Sequence, residues 1–122
     1  MPQPDDETID LPRDAQPPCR PQELLERLPG AGRDFLLLDV RTPEELALAS
    51  VPGALHIPMQ EVPHRLSELA SWRDREVVVL CHHGVRSDRV RAFLASREFT
   101  RARNLAGGID ALSRHDPSIP AY

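Results

Sequence analysis

The run Val77-Val78-Val79-Leu80 passes directly into Cys81-His82-His83-Gly84-Val85-Arg86-Ser87, and this junction constrains the fold more than any other stretch. Four consecutive strand-forming apolar residues with no polar alternation describe a strand buried on both faces, as in a parallel sheet. Beyond the loop, Val90, Phe93 and Leu94 recur at helical spacing, so a helix follows over Ser87 to Ser96. A cysteine is thereby placed between the carboxyl end of a strand and the N-terminus of a helix. That helix end offers unpaired backbone N–H groups and a partial positive charge, both of which favour a thiolate. Free cysteine titrates near ~8.5, and such surroundings lower it to roughly 3.5–7.5. Gly84 permits a tight turn with its amides inward, and Arg86 adds a permanent cation. The residue types suit a nucleophilic sulfur facing an anionic substrate.

A cysteine ending a strand is often plain core, since free cysteine is among the most buried residue types. The anion cradle behind Cys81 and the strand–loop–helix context weigh against that reading here.

The remaining signals alternate between helix and strand. Gln22–Leu28 reads as a helix stopped by Pro29-Gly30, and Phe35–Leu38 as a buried strand ending at Asp39. Pro43–Ala49 reads as a helix, with Thr42 as N-cap, Pro43 at the first position and Glu45 completing a capping box. Ala54–Ile57 is a short strand, Val62–Ala70 a helix carrying Leu66 and Leu69, and Arg103–Leu105 a brief strand. Gly107-Gly108 opens a last helix through Leu112; without G-x-G-x-x-G the pair is no dinucleotide fingerprint. Such alternation implies an α/β fold whose mostly parallel sheet is covered on both faces, with ligands at the carboxyl ends of the strands.

Four segments in order resemble the rhodanese (sulfurtransferase) family over about residues 21–112. They are Asp39-Val40-Arg41-Thr42-Pro43-Glu44-Glu45, Pro52-Gly53-Ala54-Leu55-His56-Ile57-Pro58, the Cys81 loop, and Leu105-Ala106-Gly107-Gly108-Ile109. The chain departs from the family pattern at Ala49-Ser50-Val51, where Gly-His-Ile is usual, and at Leu112, where Trp is frequent. The resemblance implies a three-layer fold with a mostly parallel five-stranded sheet and helices on both faces. It also implies thiosulfate sulfurtransferase activity: Cys81 carries a persulfide, and His82, His83, Gly84, Val85, Arg86 and Ser87 bind the substrate. The implied donor is a small anion such as thiosulfate. The implied acceptor is cyanide or a thiol, a thioredoxin-like protein among the candidates. No cofactor is implied.

Related phosphatases and arsenate reductases use C-x5-R around a tetrahedral oxyanion, whereas Arg86 follows Cys81 after four residues. Loop length therefore ranks sulfur transfer above dephosphorylation or arsenate reduction, and a persulfide carrier acting on a protein thiol is the other alternative. Asp39 and Arg41, at the end of the neighbouring strand, read as a structural ion pair, because thiolate attack on sulfur needs no general base. His82 and His83 are expected either to tune the loop, an imidazolium favouring the thiolate, or simply to stand exposed on it. Adjacent residues seldom aim at one ion, and no second cluster has ligand spacing, so no metal is expected. Asp110 and His115 suggest no triad by their spacing.

At 122 residues the chain has room for one hydrophobic core. Residues 1–18, with five prolines and five acidic residues, read as a weakly structured tail ahead of a domain spanning 19–122. No stretch approaches the ~20 apolar residues of a membrane span, and the N-terminus lacks a secretory pattern, so the expected address is cytoplasmic. A net charge of −4 argues against nucleic acid. Residues 82–103 nevertheless carry Arg86, Arg89, Arg91, Arg97, Arg101 and Arg103 against Asp88 and Glu98, a patch able to concentrate a small anion. Two cysteines make no disulfide framework, and Cys19, among Pro17, Pro18 and Pro21, has nothing to activate it.

Overall fold

A computed structural model describes residues 16–28 and 34–122. Of the tail expected over 1–18, residues 1–15 lie outside the described part, as does the Pro29-Gly30 helix stop, while Pro17 O and Pro18 O accept from Arg103. The elements are α1 (Pro21–Arg27), β1 (Phe35–Asp39), α2 (Pro43–Leu48), β2 (Leu55–His56), two 3-10 helices (Met59–His64 and Leu66–Trp72), β3 (Glu76–Leu80), α3 (Val85–Ser96), β4 (Ala102–Asn104) and α4 (Gly108–His115). The strands form a sheet in the order β2-β1-β3-β4. Every pairing is parallel, with Phe35–Asp39 in register with Glu76–Leu80 and Val77–Val79 with Ala102–Asn104. A parallel bridge between Cys19 and Leu105 extends the β4 edge, so the expected fifth strand is represented among the described residues by this single bridge.

Successive strand residues face opposite layers. Leu37, Val78 and Leu80 pack with Leu24, Ile109 and Leu112 of α1 and α4. Leu38, Val77, Val79 and Cys81 pack with Val90 and Leu94 of α3 and with Val62 and Leu69 of the 3-10 helices. All of β3 is buried, which is why its sequence shows no alternation. Each fully buried leucine or valine contributes about 1.5–3 kcal/mol relative to exposure, so the central strand anchors both cores. Among the described residues no helix is long and apolar enough to cross a membrane.

One expected element differs in kind. Instead of an α-helix over Val62–Ala70, two 3-10 helices meet at Arg65 (φ −124°). Pro63 lies inside the first and has no N–H to donate, and the bonds that close the segment are i to i+3: Glu61 N to Pro58 O, Arg65 N to Val62 O and Glu68 N to Arg65 O. Leu69 is still fully buried, so the apolar spacing served a different backbone.

The candidate active-site loop

Cys81 follows the last residue of β3, is 1% exposed and packs in the α3 layer. The loop is held from below by α4. Ile109 N donates to Cys81 O at 2.9 Å and Asp110 N to His82 O at 3.0 Å. This close approach requires Gly108: its φ is +64°, and an added Cβ would stand 2.5 Å from Cys81 O. Gly84 turns the chain into α3 with φ +101° and sends its N–H back to Cys81 Sγ at 3.1 Å. Ser87, fully buried, brings its N–H and its hydroxyl to the same sulfur, each at 3.3 Å. The sulfur thus sits where donors from the first turn of a helix converge.

Burial pushes the Cys81 thiol up. The Ser87 hydroxyl and the amides of Ser87, Gly84 and His83 more than offset it, and the pKa lies below its ordinary value. The Ser87 hydroxyl has a single proton and two acceptors, Sγ and Asn104 Oδ1, the latter at 2.5 Å. Asn104 is oriented by its Nδ2, which donates to Gly84 O at 3.1 Å. With a protonated Cys81 the hydroxyl can serve Asn104; once the thiolate forms, the proton can turn to the sulfur.

Arg86 is placed differently from its expected position on an anion. Its guanidinium forms a bidentate pair with Glu45, Nη1 to Oε1 at 2.6 Å and Nη2 to Oε2 at 2.8 Å. It fastens the start of α3 to α2, and much of its charge is neutralised there. Arg91 and Arg103 of the same basic patch are also paired, with Asp88 and with Glu23 and Glu76 respectively. His82 is half-buried, while His83 and Val85 are exposed, Val85 to 64%.

Asp39 and Arg41 form the expected ion pair, wholly buried. Arg41 Nη2 lies 2.7 Å from Asp39 Oδ2 and donates to Ala49 O at 2.8 Å. Arg41 Nε donates to Asp39 Oδ1 at 3.0 Å, and Nη1 to the Tyr122 hydroxyl at 2.9 Å and to Glu45 O at 3.4 Å. The guanidinium's hydrogen-bonding capacity is therefore satisfied without water, as a buried charge requires.

Three residues complete this surround without having been singled out for the site: Asn104, Glu45 in its second role, and Tyr122. Tyr122 donates its hydroxyl proton to Glu45 Oε2 at 2.9 Å, stacks on His82 at 3.9 Å between centroids, and accepts from His82 Nε2 through its carbonyl at 2.8 Å. Glu45 shows a sequence signal only for its cap; nothing near Tyr122 in the chain points to the loop.

The rhodanese-like domain family matches residues 20–115 of the chain. A sulfurtransferase of Allochromatium vinosum is 44% identical over 88 residues, covering 72% of this chain and 80% of that protein. A thiosulfate sulfurtransferase of Coxiella burnetii is 31% identical over 91 residues, 73% of this chain and 81% of that protein. Among solved structures, a rhodanese-related protein of Thermoplasma volcanium superposes with a TM-score of 0.74 at 25% identity, covering 88% of this chain and all of that one.

Proposed function

The chain belongs to the rhodanese-like domain family of sulfurtransferases, and on that premise we propose that it moves sulfane sulfur from thiosulfate to cyanide or a thiol through a persulfide on Cys81. The observation that carries this reading is the convergence of Gly84 N, Ser87 N and Ser87 Oγ on Cys81 Sγ. These donors favour the thiolate over the thiol and remain in place for the persulfide anion that replaces it.

The Cys81 thiolate attacks the sulfane sulfur of thiosulfate. The donor's S–S bond breaks, its electron pair leaves with sulfite, and one sulfur stays on Cys81 as a persulfide anion. Cyanide or an acceptor thiolate then attacks the outer sulfur. Cys81 departs as thiolate, releasing thiocyanate or an acceptor persulfide. No general base is needed, which agrees with Asp39 and Arg41 being fully engaged with their partners. In this reading His82, His83 and Val85 line the rim that the donor crosses, and Arg86 fixes the first turn of α3.

A second reading, in which the acceptor is a protein thiol, is favoured by the exposure of Val85 at the rim. One turn along α3, Arg89, Val90 and Phe93 join Met59, Val62 and Pro63 around an apolar groove of about 210 Å³. Thiocyanate formation from thiosulfate and cyanide is the test. Wild type should turn over and Cys81→Ser should not, with no release from an aryl phosphate. Sulfur transfer to protein thiols but not to cyanide would favour the carrier reading; aryl phosphate hydrolysis without thiocyanate would overturn both.

A further inference from the structure

We propose that His82, His83 and Asp110 form a binding site for a borderline divalent cation, Zn²⁺ foremost, on the rim of the Cys81 loop. Adjacency of the two histidines gave no reason to expect a shared ion. The fold supplies the third group: α4 is stitched to the loop through Asp110 N and His82 O at 3.0 Å, which brings the Asp110 carboxylate to the two rings. One potential ligand atom from each of the three residues lies within 4.8 Å of the others.

His82 has the second contact that metal-bound imidazoles commonly show. Its Nε2 lies 2.8 Å from the Tyr122 backbone oxygen, an acceptor, which leaves Nδ1 as the ring nitrogen able to ligate an ion. Tyr122 also stacks on this ring at 3.9 Å and 8°, which holds its orientation. His83 is exposed and stacks on His82 at 3.9 Å with a 30° tilt. In a tetrahedral zinc shell with bonds near ~2.1 Å, ligand atoms stand roughly 3.4 Å apart, so His83 must leave the stack and close in. As an exposed side chain it can turn without disturbing the core.

Asp110 Oδ2 accepts from Arg114 Nη2 at 2.6 Å, but the Arg114 side chain is 72% exposed and the pair is an i,i+4 surface bridge of little strength. Arg114 can swing into solvent and free the carboxylate. Two imidazoles and one carboxylate suit Zn²⁺, Ni²⁺ or Cu²⁺ rather than Mg²⁺ or Ca²⁺, which prefer all-oxygen shells. Three protein ligands leave one position for water. The inference does not depend on sulfur transfer.

The test is calorimetric titration of Zn²⁺ into metal-free full chain, wild type and Cys81→Ser in parallel. One ion per chain is expected in both, with Mg²⁺ giving no binding heat. His83→Ala and Asp110→Asn should each weaken Zn²⁺ binding by about tenfold or more. Arg114→Ala should tighten it severalfold by removing both a competitor and a like charge, a gain that misfolding cannot imitate. Absence of saturable binding, affinity unchanged by both ligand substitutions, or binding lost in Cys81→Ser would overturn the proposal.

Discussion

Cys19 and Cys81 are both buried free cysteines, on opposite faces of the same sheet. Burial pushes the Cys19 thiol up to about 11, with Glu23 adding to the effect, and its sulfur is 3.7 Å from Arg20 O. Cys81 bears a comparable desolvation, yet its donors carry the pKa the other way. The difference lies in the Ser87 hydroxyl and three amides, not in the depth of burial. Removing that hydroxyl in Ser87→Ala deletes a donor to the charged form, so the Cys81 pKa should rise. A hydrogen bond to an ionised group is worth about 1.5–3 kcal/mol, or roughly one to two pH units. The pH profile of Cys81 alkylation by iodoacetamide should shift upward accordingly; an unmoved midpoint would show that the amides alone set it. At this scale the sequence was informative about Cys81, because strand, glycine and helix signals are local. It was silent on Asn104, which reaches the loop from β4 only once the sheet is assembled.

Between elements, the contact that matters most is the clamp of α2 on α3. Glu45 closes its own helix by accepting from Thr42 N and also holds Arg86 with both oxygens. The capping box was legible because its partners are three residues apart; the Arg86 contact spans 41 residues and leaves no pattern in the chain. Local geometry likewise hid the 3-10 segment, where Leu66 and Leu69 fit a helical period and Pro63 decided the backbone. Arg86→Ala should lower stability and leave Glu45 with an uncompensated charge. Adding Glu45→Gln should then cost less than the two single changes summed, with a coupling of about 1–3 kcal/mol in urea unfolding. Arg86→Lys should fall between, since an ammonium lacks the planar fork. Strict additivity of the two changes would mean that the clamp holds nothing.

Across the whole molecule, ion pairs hold both ends of the sheet. Glu45 lies toward the carboxyl ends of the strands. Toward the other end, Glu76 is gripped by Arg27 at 2.7 Å and by Arg103 at 2.8 Å. The Arg86 hydrogen bonds hold the Glu45 carboxyl at about 2, and those of Arg27 do the same for Glu76. Both values are below the ordinary carboxylate range, so the unfolded chain binds protons first as pH falls. This contribution is complete above about pH 5 and is lost between roughly 4.5 and 2, on the order of 3 kcal/mol for each group. The urea midpoint should therefore drop steeply from pH 5 to pH 3, and Glu76→Gln should flatten that drop. An identical pH dependence in the variant would remove Glu76 from the account. The α/β class and the sheet's parallel sense followed from alternating elements and an uninterrupted apolar β3. These long-range pairs, and Tyr122 on the loop, did not, because they depend on how layers meet.

The central claim is that Cys81 carries the transferred sulfur, and the intact mass of the protein tests it most directly. Treatment with thiosulfate should add one sulfur, ~32 Da, and cyanide should remove it, as thiolate–sulfane exchange requires. Cys19→Ser should behave as wild type and Cys81→Ser should gain nothing. A mass increase that persists in Cys81→Ser, or one that maps to Cys19, would contradict the assignment.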